Sequence, residues 1–115
     1  MKVLRDEGLP HALRHDLREH EAFTAEYMGW KGKANGELLA LAEADHFDVL
    51  VTPDQAIPDE QNLSRLHFVG VVILATRDTR LRALRSMMSH ILAAVANVQP
   101  GGVVRVEPTG RILRS

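Results

Sequence analysis

The sequence predicts an α/β fold, a three-layer sandwich with a mostly parallel sheet and helices on both of its faces. Three observations carry that expectation. Short apolar runs at Val3-Leu4, Asp48-Val49-Leu50-Val51-Thr52 and Val69-Gly70-Val71-Val72-Ile73-Leu74-Ala75 alternate with segments of helical periodicity. The last of these runs is apolar at every position, as a central strand covered from above and below has to be. Strands alternating with helices cross over right-handedly, which imposes parallel pairing.

Taken in order, Val3-Leu4 is a brief first strand, and Gly8-Leu9-Pro10 turns into a helix with proline near its first turn. Leu9, Leu13 and Leu17 mark the buried stripe of that helix. Ala22-Phe23-Thr24-Ala25 reads as the second strand. A loop over 29–34 leads to Asn35, a good N-cap residue, and to a helix buried through Leu38, Leu39, Leu41 and Ala42. The third strand stops at Pro53, and a proline-punctuated loop through Ile57-Pro58 reaches a short helical stretch over 59–66. After the fourth strand, Asp78 is placed to cap the longest helix, marked by Leu81, Leu84, Met88, Ile91, Leu92 and Val95 and closed by Pro100-Gly101-Gly102. Val103-Val104-Arg105-Val106 and Arg111-Ile112-Leu113 flank a turn and read as a terminal hairpin.

The shortest doubly wound arrangement of the first four strands has the order 2-1-3-4, with its switch point between strands one and three. Ligands bind outside the carboxyl ends of the strands at such a point. Asp6 and Asp54 stand one or two residues past those two ends, and Glu37 lies in the first turn of the intervening helix. If the three carboxylates converge there, they make a site for a hard divalent cation, which prefers carboxylate oxygen, and so a nuclease centre. Two of the three also have a plainer explanation. Asp6 is placed to cap the following helix, and Glu37 suits the helix macrodipole.

The 115 residues suit one domain over 1–115, large enough to bury a core. The absence of cysteine removes thiolate chemistry and sulfur metal sites, leaving oxygen and imidazole as ligands and making a reducing cytoplasm the expected home. Charges in Met1-Lys2-Val3-Leu4-Arg5-Asp6-Glu7 do not suit a signal peptide, and the apolar run from Phe68 is too short to cross a bilayer, so no membrane partner is expected. With a formal net charge of −1, any contact to nucleic acid has to come from local clusters. Candidates are Lys31 and Lys33, and the arginines Arg77, Arg80, Arg82 and Arg85 at the carboxyl side of strand four.

Other features read as structure. Glu7 is expected to face away from Asp6 into solvent. His11 and His15 have the spacing of a helical zinc pair but lie opposite the leucine stripe with no third ligand, so a solvated face is expected. Trp30 is expected as a lid residue over the sheet end, with stacking on a base as the alternative. Met87 and Met88 belong to the core or to the surface of a homodimer.

Nearly the whole chain resembles the short bacterial PIN-like domains, a family of ribonucleases of toxin-antitoxin type. Val3-Leu4-Arg5-Asp6-Glu7-Gly8-Leu9-Pro10 looks like the family's opening strand and Asp-Glu-Asn-Leu-Pro turn. Gly29-Trp30-Lys31-Gly32 and the helix from Asn35 through Glu37 resemble its glycine loop and acidic helix start. Val49-Leu50-Val51-Thr52-Pro53-Asp54 is similar to its strand ending in Val-Thr-x-Asp, and the closing hairpin carries Arg111 and Arg114. The resemblance implies Mg²⁺ or Mn²⁺ held by clustered acids, RNA as substrate, and a small antitoxin partner that inserts a basic residue into the acidic crevice. Two family acids are replaced here, by Asn35 and Ala56; Glu37 stands in for the first, and Asp59 or Glu60 for the second. The alternative is a degenerate, non-catalytic PIN-like interaction module. A phosphate binder of flavodoxin-like shape is disfavoured, because neither strand-to-helix turn has a glycine-rich loop.

Overall fold

The computed structural model describes residues 1–6, 8–10, 12–17, 20–60 and 63–114, without the side chains of Arg14, Asp59, Glu60, Ser64 and Arg114. Along the chain come β1 (Lys2–Arg5), α1 (Leu13–Asp16), β2 (Glu21–Thr24), α2 (Asn35–Ala44) and β3 (Val49–Thr52). Then follow α3 (Ile57–Glu60), a 3-10 turn at Leu63–Arg65, β4 (Gly70–Leu74), α4 (Leu81–Arg85), α5 (Met88–Asn97), β5 (Val103–Val106) and β6 (Ile112–Arg114). The strands form one six-stranded sheet in the order β2-β1-β3-β4-β5-β6, parallel throughout except for the antiparallel β5-β6 hairpin. The expected order of the first four strands, 2-1-3-4, is therefore the observed one.

The pleat sorts each strand onto two faces. Val3, Val49, Val51, Val72, Leu74, Val104 and Val106 pack with Leu13 of α1, Leu84 of α4 and Ile91 and Val95 of α5. Leu4, Leu50, Val71, Ile73 and Val103 pack on the other side with Leu38, Leu39 and Ala42 of α2 and with Ile57 of α3. This is the α/β three-layer arrangement, with every residue of β4 buried as its apolar sequence requires. Phe47 lies in the second layer, edge-on to Phe23 at 5.8 Å and to Trp30 at 5.9 Å. Burying each large apolar side chain is worth about 1.5–3 kcal/mol, so these two layers supply most of the folding drive.

Four local expectations are corrected. The first helix is only Leu13–Asp16, because the chain from Asp6 first makes separate turns, Leu9 N–H to Asp6 O and Leu13 N–H to Pro10 O, at 3.1 Å each. The leucine stripe survives, with Leu9, Leu13 and Leu17 all buried, since turns can present one face as a helix does. The cap position of α2 is held by extended Ala34, not Asn35, whose side chain is used elsewhere. The long helix after β4 is two helices. At the break the Ser86 hydroxyl donates to Ala83 O at 2.6 Å, and Met87 N–H bonds Leu84 O at 3.0 Å, so the regular ladder is interrupted. Arg80, not Asp78, occupies the cap position there. Among the described residues no helix is long and apolar enough to cross a membrane.

Candidate metal centre

Register brings the two aspartates together. β1 and β3 pair Val3 with Val49, Leu4 with Leu50 and Arg5 with Val51, so the next rung sets Asp6 beside Thr52. Asp6 N–H extends the ladder by bonding Val51 O at 3.0 Å. Because Leu4 and Leu50 pack toward α2, the alternation sends Asp6 and Thr52 the same way, toward the start of that helix.

Thr52 is the joint of the site. Fully buried, its hydroxyl donates to Asp6 Oδ2 at 2.7 Å and accepts from Asp54 N–H at 3.1 Å. The Asn35 carboxamide nitrogen donates to Asp54 Oδ2. Each aspartate also accepts from the backbone two residues on, Gly8 N–H to Asp6 Oδ1 at 3.0 Å and Ala56 N–H to Asp54 Oδ1 at 2.9 Å, an Asx turn in both cases. All four carboxylate oxygens thus accept one bond from a neutral donor, and each keeps a second lone pair. Among the described residues neither aspartate is in an ion pair, although both are half-buried. Among the described residues the two carboxylates are therefore held near each other by neutral hydrogen-bond donors alone.

Glu37 is not in this network. Its side chain is 63% exposed on the first turn of α2 and stands 3.8 Å from Lys33 Nζ, one helical turn back. Among the described residues no three His, Cys, Asp or Glu side chains gather as a metal-holding group. What the fold assembles instead is two carboxylates, one carboxamide and one hydroxyl. Glu7, His11 and the side chains of Asp59, Glu60 and Arg114 lie outside the described residues. His15 is exposed, and Trp30 packs on Phe47.

The candidate cations divide. Lys31 and Arg77 are exposed, whereas Arg85 is bound to Asp16 at 3.0 Å, tying α4 to α1. Arg80 clamps Asp78 through Nε at 2.9 Å and Nη2 at 2.7 Å, and its backbone N–H adds a third bond at 3.1 Å. The guanidinium bonds first, and the backbone bond second, hold the Asp78 carboxyl down at about 2. Asp78, Arg80, Arg82, Ala83 and Ser86 line an open depression of about 400 Å³, to which no member of the Asp6–Asp54 network contributes.

Three polar residues of this end of the sheet escaped the sequence reading. Thr52 looked like a strand residue. Arg5 is 1% exposed, with Nη1 donating to Pro10 O at 3.2 Å, and Arg105 Nη1 donates to Gln55 O at 3.3 Å. A signal existed for both arginines. Each sits two residues from a valine on the same strand face, at a position where alternation calls for an inward side chain. Comparison with known protein families, curated proteins and solved structures finds no match to this chain.

Proposed function

We propose that the chain is a PIN-like, metal-dependent ribonuclease in which Asp6 and Asp54 hold one Mg²⁺ or Mn²⁺ ion. The observation that carries this reading is the Thr52 bridge, which links two carboxylates, neither in an ion pair among the described residues, that follow different strands at the switch point of a parallel sheet. Their free lone pairs, with the carboxamide oxygen of Asn35 and the Thr52 hydroxyl nearby, are the hard oxygen donors such an ion takes. Asp6 and Asp54 are the ligands, Thr52 fixes the distance between them, and Asn35 orients Asp54. Glu37 joins as a third acid only by rotating away from Lys33. When bound, the cation supplies the charge that activates water and offsets charge growing on phosphoryl oxygens. The same acidic corner suits a basic side chain from a small antitoxin.

A second reading, a non-catalytic interaction module, is favoured because among the described residues no third carboxylate joins Asp6 and Asp54. Thermal unfolding under manganese titration separates the two. A ligand bound only by the folded state at a hundred times its Kd adds about 2.7 kcal/mol, a rise on the order of 10 °C for a chain of this size. The nuclease reading expects that rise, its loss in Asp6→Asn, and anomalous manganese density between Asp6 and Asp54. No manganese-dependent rise, together with RNA cleavage untouched by Asp6→Asn and Asp54→Asn, would sink it.

A further inference from the structure

Arg105 stands on the same side of the sheet as the acidic corner. Val103 packs in the layer of Leu50, Val71 and Ile73, while Val104 and Val106 pack in the opposite layer, so Arg105 returns to the α2 side. It pairs in register with Ile73, and Ile73 pairs with Thr52. Two strand spacings, roughly 10 Å, separate β5 from β3, a gap that a long side chain can close. Arg105 closes it, ending at the carbonyl of Gln55, the residue between Asp54 and the Ala56 amide that holds Asp54.

We propose that Arg105 is the phosphate-contacting residue of this corner, taking a phosphodiester of single-stranded RNA on its guanidinium fork. The inference rests on the nuclease reading above and names the residue that receives the substrate. A guanidinium carries five N–H donors, and among the described residues only the bond to Gln55 O engages this one. Arg80 and Arg85, by contrast, are spent on Asp78 and Asp16. Two adjacent aspartates repel a phosphate until a metal ion is bound, so a cation with unused donors at the rim favours the approach of substrate. Arg105 is half-buried, its fork is planar, and a planar fork matches two phosphate oxygens at once. Its bond to Gln55 O fixes the fork beside the loop that carries Asp54, so the backbone contact positions the contact to substrate.

The test reads binding apart from cleavage. A fluorescein-labelled ten-uridine oligonucleotide is titrated in EDTA across a salt series with wild type, Arg105→Gln and Arg105→Lys, and cleavage in Mn²⁺ is followed in parallel. Arg105→Gln is expected to weaken binding about tenfold, which corresponds to roughly 1.4 kcal/mol, and to reduce the salt slope by about 0.7, the loss of one phosphate contact on a single strand. Its manganese-dependent rise in melting temperature stays as in wild type. Arg105→Lys keeps the slope but loses affinity, since it has charge without the fork, and it answers the question should the glutamine variant not fold. An unchanged slope in Arg105→Gln, or full affinity in Arg105→Lys, overturns the proposal while leaving the nuclease reading intact. Wild type that neither binds nor cleaves brings down the nuclease reading itself, and this inference with it.

Discussion

Asp54, after β3, and Asp78, after β4, begin from the same local design and end with opposite partners. Each closes a Thr-x-Asp step, Thr52-Pro53-Asp54 and Thr76-Arg77-Asp78, in which the aspartate N–H bonds the threonine Oγ1 at 3.1 Å. Each aspartate then accepts from the N–H two residues on, Ala56 or Arg80. There the likeness stops. Asp78 receives the guanidinium of Arg80 from its own turn, so its charge is neutralised within three residues. Among the described residues Asp54 receives no cation: its second oxygen takes the neutral carboxamide of Asn35, and Thr52 turns its hydroxyl to Asp6, a second acid. One turn is electrostatically closed, and the other holds charge in reserve. The difference teaches that an Asx turn alone does not set the charge around an aspartate; the partner of the second carboxylate oxygen decides it.

The sharpest way to break the comparison is to neutralise one acid on each side. On the nuclease reading, Asp6→Asn is expected to abolish the manganese-dependent thermal shift and to reduce RNA cleavage by at least about a hundredfold, a ligand being worth no less than the groups that support it. Asp78→Asn should leave both measurements unchanged, and equal effects from the two would erase the distinction. Next in size is Thr52→Val. It strips a buried hydroxyl from two partners at once and should cost about 2 kcal/mol in urea denaturation, with manganese affinity down about tenfold. Thr76→Val, in a half-buried loop with the same backbone bond, should cost less than about 1 kcal/mol.

A third acid sharpens the contrast by a different solution. Glu43, on α2, accepts the backbone N–H groups of His67, Phe68 and Val69 at 2.7, 3.0 and 3.1 Å, pinning the segment that enters β4. Partial burial pushes its carboxyl upward, but the three backbone bonds and nearby His67 outweigh it and leave the group below its ordinary 4.5. A folded value below the unfolded one means stability present above that unfolded value and lost as pH falls through the folded one. Glu43→Gln should therefore cost about 1 kcal/mol at neutral pH, and the gap to wild type should close on acidification.

The smallest effect belongs to the acid limb of Asp78. Its carboxyl titrates at about 2 instead of 3.8, so its contribution is complete above the unfolded value and fades between those two pH values. Asp78→Asn should flatten that part of the stability curve slightly, and high salt should hide the difference, because the pair is solvent-exposed. A large or salt-independent change would mean that the turn is more than an electrostatic closure.

Much of the architecture was legible in short-range pattern. The unbroken apolar run of β4 announced a central strand, the Leu9, Leu13 and Leu17 stripe announced a packed face, and connection rules led from these to the observed strand order. Boundaries were less legible where a side chain competes with the backbone. Ser86 bonding Ala83 O accompanies a break in a helix whose apolar periodicity is continuous, and Asn35 gives up capping α2 to reach Asp54. Glu37 was unreadable for another reason. Its periodic position admits both an inward site and an outward pair, and in the fold it stands outward, 3.8 Å from Lys33 Nζ.

Pattern in the sequence settled the main strands, the order of the first four and the helix-covered character of the sheet, because alternation and helical period act over a few residues and connection rules limit how such pieces join. The partners of Asp6 and Asp54 were settled by the packed fold. Asp6 and Thr52 are 46 residues apart, and Asn35 and Asp54 are 19 apart, so their bonds exist only once register and helix placement are fixed. The burial of Arg5 and the reach of Arg105 to Gln55 belong to the same class. Charge acts through space, and the distance between two carboxylates is a property of the sheet that carries them.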